Sequence, residues 1–233
     1  ISMRRSLIIG SLILLAALIG AGIWLYTWVF GDTAAGGPIS AIPLARDPGA
    51  SGSDSLLFQI VPEQSEVRFT ISEVLRGQPN TVVGKTNQVA GQIAVDPNNL
   101  SVAKVGVIQA NARSLATDSE QRNRTIRNRI LTTNDYEYII FTPTAINGLS
   151  GKAELGKELT FHIAGNLTIR DVTRPAVFDV TAHADSATRL SGTASTVINR
   201  SDYQLIIPNV PFVANVGEQV KLDIDFVAEA IPR

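Results

Sequence analysis

Apolar and polar residues alternate along most of this chain from about residue 56 onward, and the alternation is clearest between Leu159 and Ala184. Leu159, Phe161, Ile163, Leu167 and Ile169 occupy odd positions, with Gly165 completing the row, while His162, Asn166, Thr168 and Arg170 fall between them. Side chains point to opposite faces of a strand in turn, so this pattern predicts one apolar and one polar face. The parity then resets. Ala176, Phe178, Val180 and Ala182 share the next apolar row, against Val177, Asp179, Thr181 and His183. Asp171 to Arg174 reads as a polar turn, and Pro175 as the opening of a second strand, where a missing N–H is tolerated. The stretch predicts an antiparallel hairpin with one apolar wall.

The rest of the region repeats the pattern. Phe58 to Ile60 is a short run ended by Pro62, and Val67, Phe69 and Ile71 alternate with polar neighbours. Val89, Gly91, Ile93 and Val95 form the next row, closed by the turn Asp96-Pro97-Asn98-Asn99. Val102 to Ala112 is a further run whose inward face the pattern leaves open, and Tyr138 to Ile146 is centred on Phe141. Arg189 to Asn199 follows. The last strand, Gln219 to Ala230, sets Val220, Leu222, Ile224 and Phe226 against Lys221, Asp223 and Asp225. About eight strands of this kind suit an antiparallel barrel or sandwich.

Two segments break the alternation. Residues 117–134 predict a short helix, with Thr117-x-x-Glu120 resembling a capping box and Ile126 and Ile130 on one face. Arg122, Arg124, Arg127 and Arg129 crowd its other positions, either as solvated charges or as a basic rim for phosphate head groups. Leu205 to Val216 is too apolar for an ordinary loop, and Pro208 and Pro211 deny it regular structure. It suits a cover over one end of a core, or a lid over a cavity.

Ahead of the strands, Ser6 to Phe30 carries no charge over 25 residues. As a helix it would be about 37 Å long against a bilayer core of about 30 Å. Trp24, Tyr26 and Trp28 lie near its end, where an interfacial belt belongs, and Arg4-Arg5 before it favours a cytoplasmic N-terminus. The alternatives are a signal peptide cut near Thr33 to Ala35, although such apolar regions usually run about 7–15 residues, and a twin-arginine export signal. Gly31 to Ser55, rich in Gly and Pro, reads as a flexible linker. The predicted organisation is therefore a transmembrane helix at 1–30, a linker at 31–55 and a β domain at 56–233.

Composition narrows the chemistry. The chain has no cysteine, which removes disulfides and thiol catalysis, and a formal net charge of −1, which offers nothing to a polyanion. Its two histidines, His162 and His183, fall on polar strand faces and read as surface residues. No phosphate-binding Gly loop, zinc-ligand pair or nucleophile elbow occurs, and the carboxylates are scattered. The arginine-rich segment lacks the interleaved aromatics of a nucleic-acid surface. The expectation is a non-enzyme without a cofactor or nucleic-acid partner.

A set of short motifs now falls in order: Ser65-x-Val67-x-Phe69, Gly91-x-Ile93, Thr117 with Arg122, Tyr136 to Phe141, Gly165-Asn166-Leu167-Thr168-Ile169-Arg170, and Arg174-Pro175. Asn199-Arg200-x-Asp202-Tyr203, Val216-Gly217 and Val220 complete it. In these the domain resembles the YceI-like family of exported, lipocalin-like lipid-binding barrels, over essentially Leu56 to Ala230. It departs at Gln64, where a His is frequent, at Asn123 for Asp, at Glu137 for Pro, and at Tyr203-Gln204 for an aromatic–Gly pair. The resemblance implies a lipocalin-like barrel of about eight strands with one short helix, enclosing a polyisoprenoid or similar amphiphile. Under it the inward positions Val67, Phe69, Ile71, Ile93, Phe141, Phe161, Ile163, Leu167, Phe178, Val180, Leu222, Ile224 and Phe226 become candidate ligand contacts, and Arg122 and Arg127 a candidate head-group rim. The expected protein is tethered to the membrane by its N-terminal helix, with the barrel on the extracytoplasmic side, or secreted if the segment is cleaved. The alternative is a filled barrel acting as a structural or interaction module, or as an accessory subunit.

Overall fold

The computed structural model describes residues 38–44 and 55–231. The expected span at 1–30 lies outside the described residues, as does most of the linker. Among the described residues no helix is long and apolar enough to cross a membrane.

Among the described residues thirteen strands, not about eight, form one sheet. They are β1 (Leu56–Ile60), β2 (Glu66–Leu75), β3 (Gln78–Thr86), β4 (Val89–Ala90), β5 (Gln92–Val95), β6 (Lys104–Val105) and β7 (Ile108–Asn111). After helix α1 (Glu120–Thr125) come β8 (Tyr138–Asn147), β9 (Leu159–Ile169), β10 (Val172–Ser186), β11 (Arg189–Asn199), β12 (Val213–Ala214) and β13 (Gln219–Ala230). The count exceeds the expectation because long runs are interrupted. β1 and β2 lie end to end along β13, in registers Phe58↔Ala230 and Val67↔Ile224, parted by a turn at Pro62–Gln64. Gly91 parts β4, which pairs with β7, from β5, which pairs with β1 and β6. The expected strand over Val102 to Ala112 is only β6 and β7, preceded by a 3₁₀ turn.

The sheet follows the order β4-β7-β8-β9-β10-β11-β13-β1-β5-β6, with every strand pair antiparallel. Since β4 and β5 are parted by one residue, the path curls round onto itself. Ser65 stitches the gap between β1 and β2. Its hydroxyl donates to the Val61 carbonyl at 2.8 Å and accepts from the Val227 N–H at 3.0 Å, satisfying a backbone group that the broken ladder leaves over.

The β9–β10 hairpin carries the predicted parity, with Phe161, Ile163, Leu167, Ala176, Phe178 and Val180 all buried. Its turn is tighter than expected. Ile169 pairs with Val172, so only Arg170 and Asp171 turn, and Thr173 and Arg174 belong to the strand. Pro175 is tolerated inside β10 because β11 pairs with β10 only from Asp179 onward, leaving that side of the strand open. β3 is a strand that the sequence reading passed over. Its inward residues Val82, Gly84 and Thr86 present one large side chain among three, too little to register as an apolar row.

The helix begins two residues later than the capping-box reading places it. Ser119 is the N-cap, accepting from the Arg122 N–H, and Thr117 instead donates its hydroxyl to Asn123 Oδ1 at 2.8 Å. A single π-helical turn, Ile126–Ile130, continues it and turns Ile126 into the core. Residues 38–44, expected within a flexible linker, lie against the sheet. The Ile39 and Leu44 N–H groups donate to the Gln88 and Gln92 side-chain oxygens at 3.3 and 2.7 Å.

Candidate functional site

The inward faces of these strands do not meet everywhere, and among the described residues they leave a cavity towards each end of the barrel. The smaller, of about 150 Å³, is bounded by Ile93, Phe141, Phe161, Ile163, Phe178, Val180, Ile224 and Phe226 among others. The larger, of about 470 Å³, is bounded by Phe69, Ile71 and Leu222 of the expected contacts, with Arg122 at its rim. No residue is common to both linings. Between them the interior is filled. Leu167 is 2% exposed, and the Phe141 and Phe178 rings meet edge to face with centroids 4.8 Å apart. Gly165 makes that contact attainable, because a Cβ there would lie 2.7 Å from the Phe141 ring.

The candidate contacts are therefore divided rather than gathered. Leu167 borders neither cavity and belongs to the packed centre. Val67 borders neither and packs against a separate small cluster around Phe58, Ile60 and Ala228. Parity placed both on the inner face correctly, but an inward side chain borders empty space only where its opposite neighbours are too short to reach it.

The larger cavity is the better site by size, since ligand pockets usually run about 300–1,000 Å³. β2 and β13 supply one wall, α1 supplies Arg122 and Thr125, the π turn supplies Ile126 and Ile130, and the apolar loop closes over it with Leu205, Ile207, Val210 and Phe212. Of the two readings of that loop, the structure has it over a cavity rather than over a filled core.

One charged residue on the wall escaped the sequence reading. Glu73 continues the odd row Val67, Phe69, Ile71 on β2, and it is 7% exposed. A carboxylate so placed requires partners, and it has two: Asn80 Nδ2 donates at 2.8 Å and Arg122 Nη2 at 3.1 Å. Arg122 also binds Asp118. Arg127 lies outside the cavity lining and donates to Glu120 at 2.9 Å. Hydrogen bonds from Asn123 and Arg127 hold the Glu120 carboxyl below the usual carboxylate range. The expected rim arginines are thus engaged by acids of the protein itself.

A YceI-like domain model matches residues 58–228. The chain belongs to the YceI-like family. Among solved structures it is similar to a polyisoprenoid binding domain from Saccharophagus degradans implicated in plant cell wall breakdown, at 16% identity and a TM-score of 0.59, over 76% of this chain and 99% of that one. It is similar also to Burkholderia cenocepacia BcnA, at 17% identity and a TM-score of 0.55, over 72% of this chain and 98% of that one. A Campylobacter jejuni YCEI protein matches at 17% identity and a TM-score of 0.51, over 64% of this chain and 85% of that one. At such identities the likeness speaks for the fold. No curated protein sequence matches this chain.

Each departure from the YceI-like pattern has a local partner or a local strain. Gln64 accepts from Arg189 at 2.6 Å, Asn123 accepts from the Thr117 N–H at 2.7 Å, and Glu137 accepts from buried Asn111 at 3.2 Å. Gln204 holds φ +54°, in the left-handed region where the family's glycine would sit without strain. Tyr203 beside it is 2% exposed, and burial pushes its phenol up to about 12. The histidines differ from one another. His162 pairs with Asp179 at 2.8 Å on the outside, whereas His183, expected outside as well, pairs with Asp185 at 2.9 Å and borders the smaller cavity. A bulge between Ala184 and Ser186, beyond His183, shifts the register of β10 on β11.

Proposed function

We propose that this protein is a non-catalytic carrier or sensor whose barrel holds the apolar tail of a polyisoprenoid or similar amphiphile in the larger cavity. The observation that carries the reading is that cavity: about 470 Å³, apolar over most of its wall, with a few charged side chains, Glu73, Arg76, Asp118, Arg122 and Arg200, in its lining. Burying a hydrocarbon tail there gains roughly 25 cal/mol per Å² of apolar surface before ordering costs. The polyisoprenoid binding domain from Saccharophagus degradans, similar in fold, supports this class of ligand. A tail longer than the cavity has to displace Leu167 and the Phe141–Phe178 pair to reach the smaller one. The same reading tethers the protein by Ser6 to Phe30 with the barrel on the extracytoplasmic side, on the strength of Arg4-Arg5 and the uncharged span.

The test is mass spectrometry of organic extracts of the purified full chain, together with thermal unfolding in the presence of added isoprenoid alcohol. The expected result is co-purified lipid, or a rise in melting temperature with ligand. A lipid-free protein indifferent to isoprenoids would favour the filled-barrel module, which the packed centre around Leu167 supports.

A further inference from the structure

The rim of the larger cavity carries features that containment of a tail leaves unexplained. Ile206 is 78% exposed and Phe212 74%, both in the loop that covers the cavity. Phe212 holds φ +67°, a conformation that a bulky residue rarely adopts. Its carbonyl accepts the Arg76 N–H at 2.8 Å, which ties the loop to the β2–β3 turn.

Charge at this rim is unbalanced in one direction. The acids are already engaged: Glu73 and Asp118 by Arg122, and Glu120 by Arg124 and Arg127. Arg76 borders the cavity, is exposed, and makes no ion pair among the described residues. Arg129, also exposed and without an ion pair among them, lies on the π turn next to cavity-lining Ile130. Two projecting apolar side chains beside two unengaged cations, around the mouth of an apolar cavity, match the composition of an interfacial lipid contact.

We propose that this rim docks on an anionic bilayer surface, with Ile206 and Phe212 entering the interface and Arg76 and Arg129 meeting lipid phosphates. The inference rests on the reading of the cavity as an amphiphile site. Such a ligand comes from a bilayer, and a mouth pressed to the lipid spares its tail the passage through water.

The chain has no cysteine, so Phe212→Cys in the full chain accepts a single environment-sensitive fluorophore. Ile206→Cys provides an independent second position. Leu155→Cys is the control, since Leu155 is 69% exposed beside the lining of the smaller cavity at the other end. Vesicles of phosphatidylcholine, alone or mixed with phosphatidylglycerol, carry a bilayer-resident quencher. The full chain is reconstituted into either kind of vesicle, so that any tethering by the N-terminal segment is the same in both. The expected result is quenching at 212 and 206 on the anionic vesicles, little on the neutral ones, and little at 155 on either. Arg76→Gln and Arg129→Gln each lower the quenching at 212 and 206 on the anionic vesicles severalfold, and added salt does the same. No quenching at 212 and 206, or equal quenching at 155, overturns the proposal. Lipid extracted from the same preparations separates the two readings. Loaded protein without quenching leaves the carrier and removes the docking surface, and an empty barrel with quenching does the reverse.

Discussion

If the two cavities differ as their volumes indicate, one substitution made in each should have opposite consequences. Ile71 on β2 borders the cavity of about 470 Å³, and Ile163 on β9 borders the one of about 150 Å³. An apolar cavity of about 150 Å³ takes a benzene molecule. Tryptophan at 163 brings an indole, larger than that, to a position only 8% exposed. Overpacking of this kind costs about 1–3 kcal/mol. For a domain of this size each kcal/mol lowers the melting temperature by about 2–4 °C, so Ile163→Trp should fall by about 2–12 °C. At 71 the space is about three times larger, and the ring should be accommodated at a cost below about 1 kcal/mol. Ile71→Trp then keeps its melting temperature within about 2–4 °C of the parent while co-purified lipid drops markedly. Val177→Trp, at a position 52% exposed on the outer face of β10, should change neither. Differential scanning calorimetry and mass spectrometry of extracts read the two outcomes. Should Ile71→Trp unfold as early as Ile163→Trp, or retain the parent's lipid, the larger cavity is not the ligand site.

Further outcomes follow from single contacts. Arg122→Gln strips the cation from Glu73; breaking a fully buried pair costs about 3–5 kcal/mol, and Arg122 keeps 20% exposure, so urea unfolding should show a loss of about 2–3 kcal/mol, most of it recovered in Glu73→Gln/Arg122→Gln. Gly165→Ala would set a Cβ 2.5 Å from the Thr142 carbonyl oxygen and 2.7 Å from the Phe141 ring; a loss of about 1–3 kcal/mol is expected, and a neutral result in denaturant titration would show that β8 and β9 separate readily. The Tyr203 phenol sits at about 12 in the folded protein against about 10 unfolded, so the folded state holds its proton more tightly. Its contribution is intact below pH 10 and is lost as pH rises from 10 through 12, by about 2–3 kcal/mol in all. Tyr203→Phe should flatten that alkaline slope in urea titrations on either side of about pH 10.

Local alternation was enough to assign most of the long strands and their inner faces, though not β3, whose inner row is too small to register. The bounds of β13, Gln219–Ala230, and the inward rows of β9 and β10 are legible because side-chain direction in a strand depends only on position along it. The same holds for Ile126 and Ile130 on the helical segment, and for an apolar, proline-broken loop that had to cover something. Interruptions were less visible. Ser65 and Gly91 divide runs through hydrogen bonds to strands further along the chain, such as Ser65 to Val227 and Ile60 to Gly91. What only the tertiary structure decided is where the interior is empty. Phe69, Ile71 and Leu222 border a cavity while Val67 and Leu167, of identical parity, do not. That difference depends on the summed volumes of side chains brought together from β2, β9, β13, α1 and the 205–216 loop. The rim obeys the same logic. Arg122 appeared available for a phosphate until the fold brought Glu73, 49 residues away, within 3.1 Å of it, and Arg76, in a turn with no pattern of its own, was left facing outward. Periodicity reports direction, whereas packing density and charge pairing are sums over neighbours that only the fold assembles.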